Sequence, residues 1–248
     1  MVPAGSPERT ASKESGRLSQ VLVKLFMSQA DVIAVESLAP RFRLITLEGE
    51  PLKDVAWVPG QKIQIAMGSA FIARTYTPII WNAAAGRTCL LAFEPGHGPG
   101  SDWVRTVASG DQCSVFGPRP SLDLRHIAGP IALFGDETSF GLAYALAQAF
   151  PGERVTCAFE VDDVTTTGQV LGKLELPHAE LFARQGQDAH VESMEARLLN
   201  LIADGTSFIL TGKAGTVQRL RRGLKSYAGP RTAVLTKAYW AIGKSGLD

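Results

Sequence analysis

The chain has 248 residues, 45% of them hydrophobic and 20% charged, with a formal net charge of +1. This length supports one large domain or two modest ones with full cores, and the charge balance gives no footing for a nucleic-acid partner or stable membrane association. The three cysteines, Cys89, Cys113 and Cys157, fall in no Cys-x-x-Cys or metal-knuckle spacing, so they read as structural thiols of a reduced, cytoplasmic protein.

The first stretch, residues 1–18, is rich in Ser, Pro, Glu and Lys and lacks an apolar signal region, which predicts a flexible tail. From there the rhythm is β. "VIAVESL" (32–38), "RFRLITLEG" (41–49) and "QKIQIAMG" (61–68) alternate apolar and polar residues, with Gly49, Pro51, Pro59 and Gly60 between them. "ARTYTPIIWN" (73–82), "RTCLLAFE" (87–94) and "QCSVFGP" (112–118) follow, and six short strands predict an antiparallel barrel. One helix interrupts them at "SDWVRTVAS" (101–109), with Ser101 as its N-cap and Trp103, Val104 and Val107 on one face.

The rhythm changes near residue 129. "GPIALFG" (129–135) is a continuous apolar run, the pattern of a strand buried on both faces. A helical stripe at Phe140, Ala143, Tyr144 and Ala147 comes next, then a strand at "RVTCAFEV" (154–161) and a helix at "HVESMEARLLNLIAD" (190–204). "SFILTG", "AGTVQRLRRGLKSY" and "RTAVLTKAYW" complete a strand–helix–strand series. The expected fold is therefore a six-stranded antiparallel barrel over 19–127, followed by a small doubly wound parallel-sheet α/β domain over 128–248.

Chemistry concentrates at the joints of this plan. In "ARTYTPIIWN", Arg74 and Tyr76 share a strand face, and Pro78 removes a ladder donor, so the strand lies on an edge or breaks there. A guanidinium beside an aromatic ring suits a flat anionic ligand, the cation on a pyrophosphate and the ring against a heterocycle. "GHGPGSDW" (96–103) leads into a helix N-terminus, where glycine backbone and helix dipole together favour an anion. "GDETSF" (135–140) sits at the carboxyl end of the first parallel strand, placing Asp136, Thr138 and Ser139 both as helix caps and at the edge where parallel sheets bind ligands. No G-x-G-x-x-G is present. Glu160 ends the second parallel strand, a position from which an acid can reach a ribose 2′-hydroxyl. The basic run "QRLRRGLK" (218–225) reads as a solvated helix face.

These segments, in this order, resemble the siderophore-interacting proteins of the ferredoxin-reductase superfamily. The resemblance is carried by Arg74–Thr77 as an R-x-Y-[ST] flavin motif, "GHGPGSDW", "GDQCSVFGPR" (110–119), "GDETSF" and the late "YWAIG" (239–243). It implies an FAD-binding barrel, an NAD(P)H-binding α/β domain, and electron transfer from nicotinamide through flavin to a ferric siderophore. It implies a cofactor site built from Arg74, Thr75, Tyr76, Thr77, Phe93, Glu94, His97, Gly98, Ser101, Trp103, Asp136, Thr138, Ser139 and Tyr239, with Lys237 and Arg119 toward the chelate. The family's usual histidine at the end of the strand before the glycine loop is Glu94 here, and the arginine that usually follows its Tyr-Trp pair is Ala241. The sequence stops soon afterwards at Asp248, predicting no long helix over the pocket and a more exposed flavin face. The iron needs no protein ligands, because it arrives chelated and reduction alone loosens it. The expected protein is a monomer. A reductase acting on another protein or on free flavin, and a non-catalytic ferric-chelate carrier, remain as alternatives.

Overall fold

The computed structural model describes residues 27–69, 72–125, 127, 129–151, 155–176, 179–202, 206–227 and 232–244. The predicted tail over 1–18 and the chain end at 245–248 lie outside them. Strands β1 (Ser28–Ala39), β2 (Phe42–Glu48), β3 (Lys62–Ser69), β4 (Ile72–Tyr76), β5 (Pro78–Asn82), β6 (Arg87–Phe93) and β7 (Gln112–Arg119) form one antiparallel sheet in the order β4-β3-β7-β1-β2-β6-β5. The strands number seven because "ARTYTPIIWN" is two of them, broken at Thr77 before Pro78. That break has a topological consequence. β4 and β5 are the two edges of the sheet, yet only Thr77 separates them in the chain. The sheet must therefore curl until its edges meet, giving the expected barrel-like form.

The barrel interior is apolar because alternation turns one set of side chains inward. Val32, Ile45, Leu47, Ile63, Ile65, Leu90 and Val115 form its buried core, closed at one end by Val104 and Val107 around helix α1 (Pro99–Thr106).

Five parallel strands follow: β8 (Ile131–Asp136), β9 (Val155–Val161), β10 (Ala179–Ala183), β11 (Ser207–Lys213) and β12 (Val234–Trp240), in the order β10-β9-β8-β11-β12. Helices α2 (Phe140–Ala149) and α3 (Val164–Lys173) pack on one face, with Leu133, Cys157, Phe159 and Ile209 beneath them. Helices α4 (His190–Asn200) and α5 (Ala214–Lys225) cover the other face, over Ala132, Phe134, Phe208 and Leu210. Two of these elements, α3 and β10, were not predicted. No helix among the described residues is long and apolar enough to cross a membrane.

The two sheets share one core. Phe42 of β2 stacks on Phe140 of α2 at 5.8 Å between ring centroids, and Phe140 meets Phe159 of β9 edge-on at 4.7 Å. Phe140 is fully buried at this junction. Phe140→Ala is expected to lose about 3–5 kcal/mol of stability. Urea denaturation is the check, followed by tryptophan emission and far-ultraviolet circular dichroism. A loss below about 1 kcal/mol would mean that the junction closes without this ring.

Candidate functional site

The curl of the barrel places Arg74, Tyr76 and Thr77 at the corner where its edges meet. Arg74 pairs across the ladder with Ile65, and Tyr76 with Ile63. The Arg74 side chain lies along the first turn of α1. A Cβ on Gly100 would stand 2.9 Å from Arg74 Cγ, so only glycine lets the arginine pass this close. Its Nη1 donates to the Ala73 carbonyl at 2.8 Å. Tyr76 packs against Trp103 of α1, ring centroids 5.4 Å apart, and burial pushes its hydroxyl pKa up despite the opposing pull of Arg74. The helix begins at Gly98, not at the predicted Ser101, and no side chain caps it. Ser101 lies buried inside the first turn, donating from Oγ to the His97 carbonyl at 3.1 Å. The space in front of Gly96 and Gly98 is open, and His97 is exposed. The corner thus offers uncapped N–H groups, a guanidinium and an aromatic wall together, a donor set that fits a dinucleotide pyrophosphate.

Thr77 joins this corner to the parallel sheet. Its hydroxyl hydrogen-bonds Tyr239 of β12, whose own hydroxyl burial pushes toward higher pKa. A Cβ on Gly141 of α2 would come within 3.1 Å of the Thr77 carbonyl, so helix and corner touch backbone to backbone. Beside Tyr239, Trp240 donates from Nε1 to Asp136 Oδ2 at 2.7 Å. Asp136 is fully buried, and it caps the turn after β8 by accepting from Thr138 N at 2.9 Å and from the Thr138 hydroxyl. Ser139 returns the capping bond to Asp136 N and accepts from Thr211 Oγ at 2.8 Å. Gly212 takes φ +94, and a Cβ there would run into Asp136 Oδ2, so the position admits only glycine on both counts.

A chain of charges runs beside this cluster. Glu137, 3% exposed in its side chain, accepts from both terminal nitrogens of Arg184, at 2.9 and 2.7 Å. Arg184 Nη1 also meets Asp162 Oδ1 at 2.6 Å, and Asp162 Oδ2 meets Arg41 Nη1 of the β1–β2 turn at 3.0 Å. Arg41 donates from Nε to the Glu94 carbonyl at 2.7 Å and lies 4.7 Å over the Phe93 ring. Glu94, standing where a histidine was expected, braces α1 through Arg105 Nε at 3.0 Å. Phe93 and Glu94 thus both meet Arg41, and Glu94 also ties Arg41 to α1 of the corner.

Glu160 does not reach a ribose. It is 1% exposed, and its Oε2 lies 2.8 Å from His190 Nε2. The Gln185 N–H donates to His190 Nδ1 at 3.1 Å, so the ring proton sits on Nε2 and goes to Glu160. Arg119 is also engaged: it donates to Gln64 Oε1 at 2.5 Å and its guanidinium lies 4.3 Å over Phe116. Thr75 faces Gln64 across the ladder, on the opposite side of β4 from Arg74 and Tyr76. Lys237 is half-buried on β12, opposite Thr211. Arg41, Asp162, Arg184 and His190 went unremarked in the sequence: Arg41 lies in a turn, Asp162 and Arg184 directly follow strands, and His190 opens α4, and none of these places carries a pattern that singles it out.

The chain shares this architecture, an antiparallel barrel joined at its corner to a five-stranded parallel sheet, with phthalate dioxygenase reductase, described as a modular structure for electron transfer from pyridine nucleotides to [2Fe–2S]; the TM-score is 0.71 at 14% identity, covering 88% of this chain and 70% of that one. It is likewise similar to the siderophore-interacting protein SipS from Aeromonas hydrophila, with TM-score 0.72, 23% identity, and 88% and 93% of the two chains covered. A siderophore utilization protein from T. fusca gives TM-score 0.70 and 22% identity over 90% of this chain and 95% of that one. No family model matches the chain. At these identities the likeness establishes the fold.

Burial pushes the Asp136 carboxyl up from its ordinary 3.8 to about 6, against the Thr138 and Trp240 hydrogen bonds. The folded protein then holds a proton that the unfolded chain releases, so stability falls as pH rises between roughly 4 and 6, by up to about 3 kcal/mol from this group. Asp136→Asn should flatten that part of the profile, as read from urea midpoints at several pH values. An unchanged slope would show that Asp136 stays ionised in the folded state.

Proposed function

We propose that this chain is an FAD-dependent ferric-siderophore reductase that takes electrons from NAD(P)H and passes them to chelated Fe(III). The observation that carries the reading is the corner itself, with Arg74 pressed on Gly100 at the uncapped start of α1 and Tyr76 against Trp103. In this reading residues 19–127 are the FAD-binding domain and residues 128–248 the NAD(P)H-binding domain. Arg74 and the N–H groups following Gly98 hold the FAD pyrophosphate. Tyr76 and Tyr239 flank the ring system, and Thr77, with Thr75 behind it, offers a hydroxyl to the ring edge. Asp136, Thr138 and Ser139 shape the floor on the nicotinamide side. Trp240 donates to Asp136 from the flavin side, a bond that opposes the rise in pKa that burial imposes on the carboxyl.

Bound FAD supplies the conversion between a two-electron donor and a one-electron acceptor. The chain's own part is orientation, exclusion of water and charge. The chelate is substrate, and the described residues hold no His, Cys, Asp and Glu group with metal-binding geometry. Oxygen chelators grip Fe(II) less well than Fe(III), so reduction releases the metal without a protein ligand. Lys237 is favoured over Arg119 as the cation facing the chelate, because the Arg119 guanidinium is already held by Gln64 and Phe116. The reading takes the protein to be a cytoplasmic monomer. The names of SipS and of the T. fusca protein support the choice of a siderophore as substrate.

Two measurements test this. Arg74→Ala should reduce FAD affinity about tenfold or more, since a hydrogen bond to a charged group is worth roughly 1.5–3 kcal/mol; flavin content and fluorescence titration report it. In the anaerobic wild-type protein, NADH or NADPH should bleach the bound flavin, and a ferric chelate should restore its colour. Reduced flavin that persists with every ferric chelate supplied would overturn siderophore reduction. Unchanged FAD affinity in the variant would remove Arg74 from the site.

A further inference from the structure

In an open parallel sheet the adenosine ribose of a nicotinamide nucleotide meets the carboxyl end of the strand beside the first. An acid there hydrogen-bonds a free 2′-hydroxyl, whereas an unengaged arginine accommodates a 2′-phosphate. Here the relevant strand is β9, next to β8; it ends in Glu160 and Val161, and Asp162 and Asp163 follow directly. Glu160 is sealed beneath His190. Asp162, 43% exposed in its side chain, and Asp163, also exposed, are the acids within reach of a ligand, and Asp162 is the one that holds the neighbouring arginines.

Among the described residues two arginines lie at this edge, and both are occupied. Arg184 gives both terminal nitrogens to Glu137 and Nη1 also to Asp162. Releasing it to a phosphate would strand the buried Glu137 carboxylate, which is strongly unfavourable. Arg41 spans Asp162 and the Glu94 carbonyl above the Phe93 ring. Asp163 adds a further acid as it caps α3, accepting from Thr166 N at 3.0 Å and from Thr166 Oγ at 2.6 Å. The carboxylates Glu137, Asp162 and Asp163 thus outnumber the guanidinium groups of Arg41 and Arg184. A 2′-phosphate would bring more negative charge to an edge that is already net negative.

We propose, building on the reductase reading above, that Asp162 makes this edge specific for a nucleotide with a free 2′-hydroxyl, so that the electron donor is NADH and not NADPH. Asp162 does so twice over: it offers an acceptor to the hydroxyl and, while Glu137 keeps Arg184, it holds Arg41 Nη1 away from a phosphate.

The test is equilibrium binding of NAD+ and NADP+ to the purified flavin-loaded chain by titration calorimetry, with flavin reduction by NADH and NADPH alongside. Wild-type protein should bind NAD+ at least about tenfold more tightly than NADP+, the scale of one charge contact at a partly exposed edge. Asp162→Asn leaves Arg184 on Glu137 and releases Arg41, so the NAD+/NADP+ affinity ratio should move toward NADP+ by about tenfold. A residue that only braced the two sheets would weaken both nucleotides alike. Wild-type preference for NADP+, or a variant that changes both affinities equally, overturns the inference and leaves the reductase reading in place. Failure of both nucleotides to bind or to reduce the flavin overturns the reading itself, and the inference with it.

Discussion

Everything at the candidate site depends on one residue of chain. β4 and β5 are the outermost strands of a seven-stranded sheet, and Thr77 alone connects them. A flat sheet would separate its edges by six interstrand spacings of nearly 5 Å each, far beyond what one residue can span. The sheet has to close. Closure brings the end of β4 to the corner, where the chain breaks at Pro78 and β4 keeps a strand neighbour, β3, on one side only. The same corner receives α1 from one side and α2 from the other, through the close approaches at Gly100 and Gly141. A barrel edge thereby becomes the wall of a cleft between two sheets.

The two sheets are held by different forces at different depths. Deep in the junction, Phe42, Phe140 and Phe159 form a continuous aromatic contact, and their burial supplies the stabilisation. Nearer the surface, Glu137, Arg184, Asp162 and Arg41 run from the parallel sheet to the barrel hairpin. Desolvating Glu137 is unfavourable, and the paired bonds from Arg184 offset it without large net gain. Their effect is geometric. They fix the β1–β2 turn over the ends of β8, β9 and β10 and so decide which charges a ligand meets there.

Much of this was legible in the sequence, and the parts that were not have physical reasons. Period-two alternation marked the barrel strands because one face of each is buried and the other is not. Continuous apolar runs marked β8, β9 and β11. Helix α3, "VTTTGQVLGK", escaped because three threonines and two glycines give it poor intrinsic propensity. Its N-cap at Asp163 and the burial of Val170 and Leu171 hold it instead. β10 is five residues long and borrows its order from pairing with β9. Glu160 was misplaced for a different reason. A strand covered on both faces does not alternate, so nothing in "CAFEV" says that the carboxylate turns inward to His190, 30 positions away. Ser101 was misjudged as a cap because a Gly-Pro start leaves the helix no side-chain signal.

The remaining question is why chemistry gathers at Asp136, Gly212 and Trp240. Helices α2 and α3 lie on one face of the parallel sheet and α4 and α5 on the other. β8 and β11 are neighbours, but the connections leaving them depart to opposite faces. A crevice must open between their carboxyl ends, whatever residues stand there. In this chain the residues close its floor: Asp136 from β8 fills the gap, Gly212 of β11 gives way to it, and Trp240 of β12 seals it with a 2.7 Å bond. A carboxyl set in that position is dry, and a dry carboxyl resists ionisation. The topology makes the crevice and the sequence sets its polarity. Thr77 and Tyr239 then tie its rim to the barrel corner.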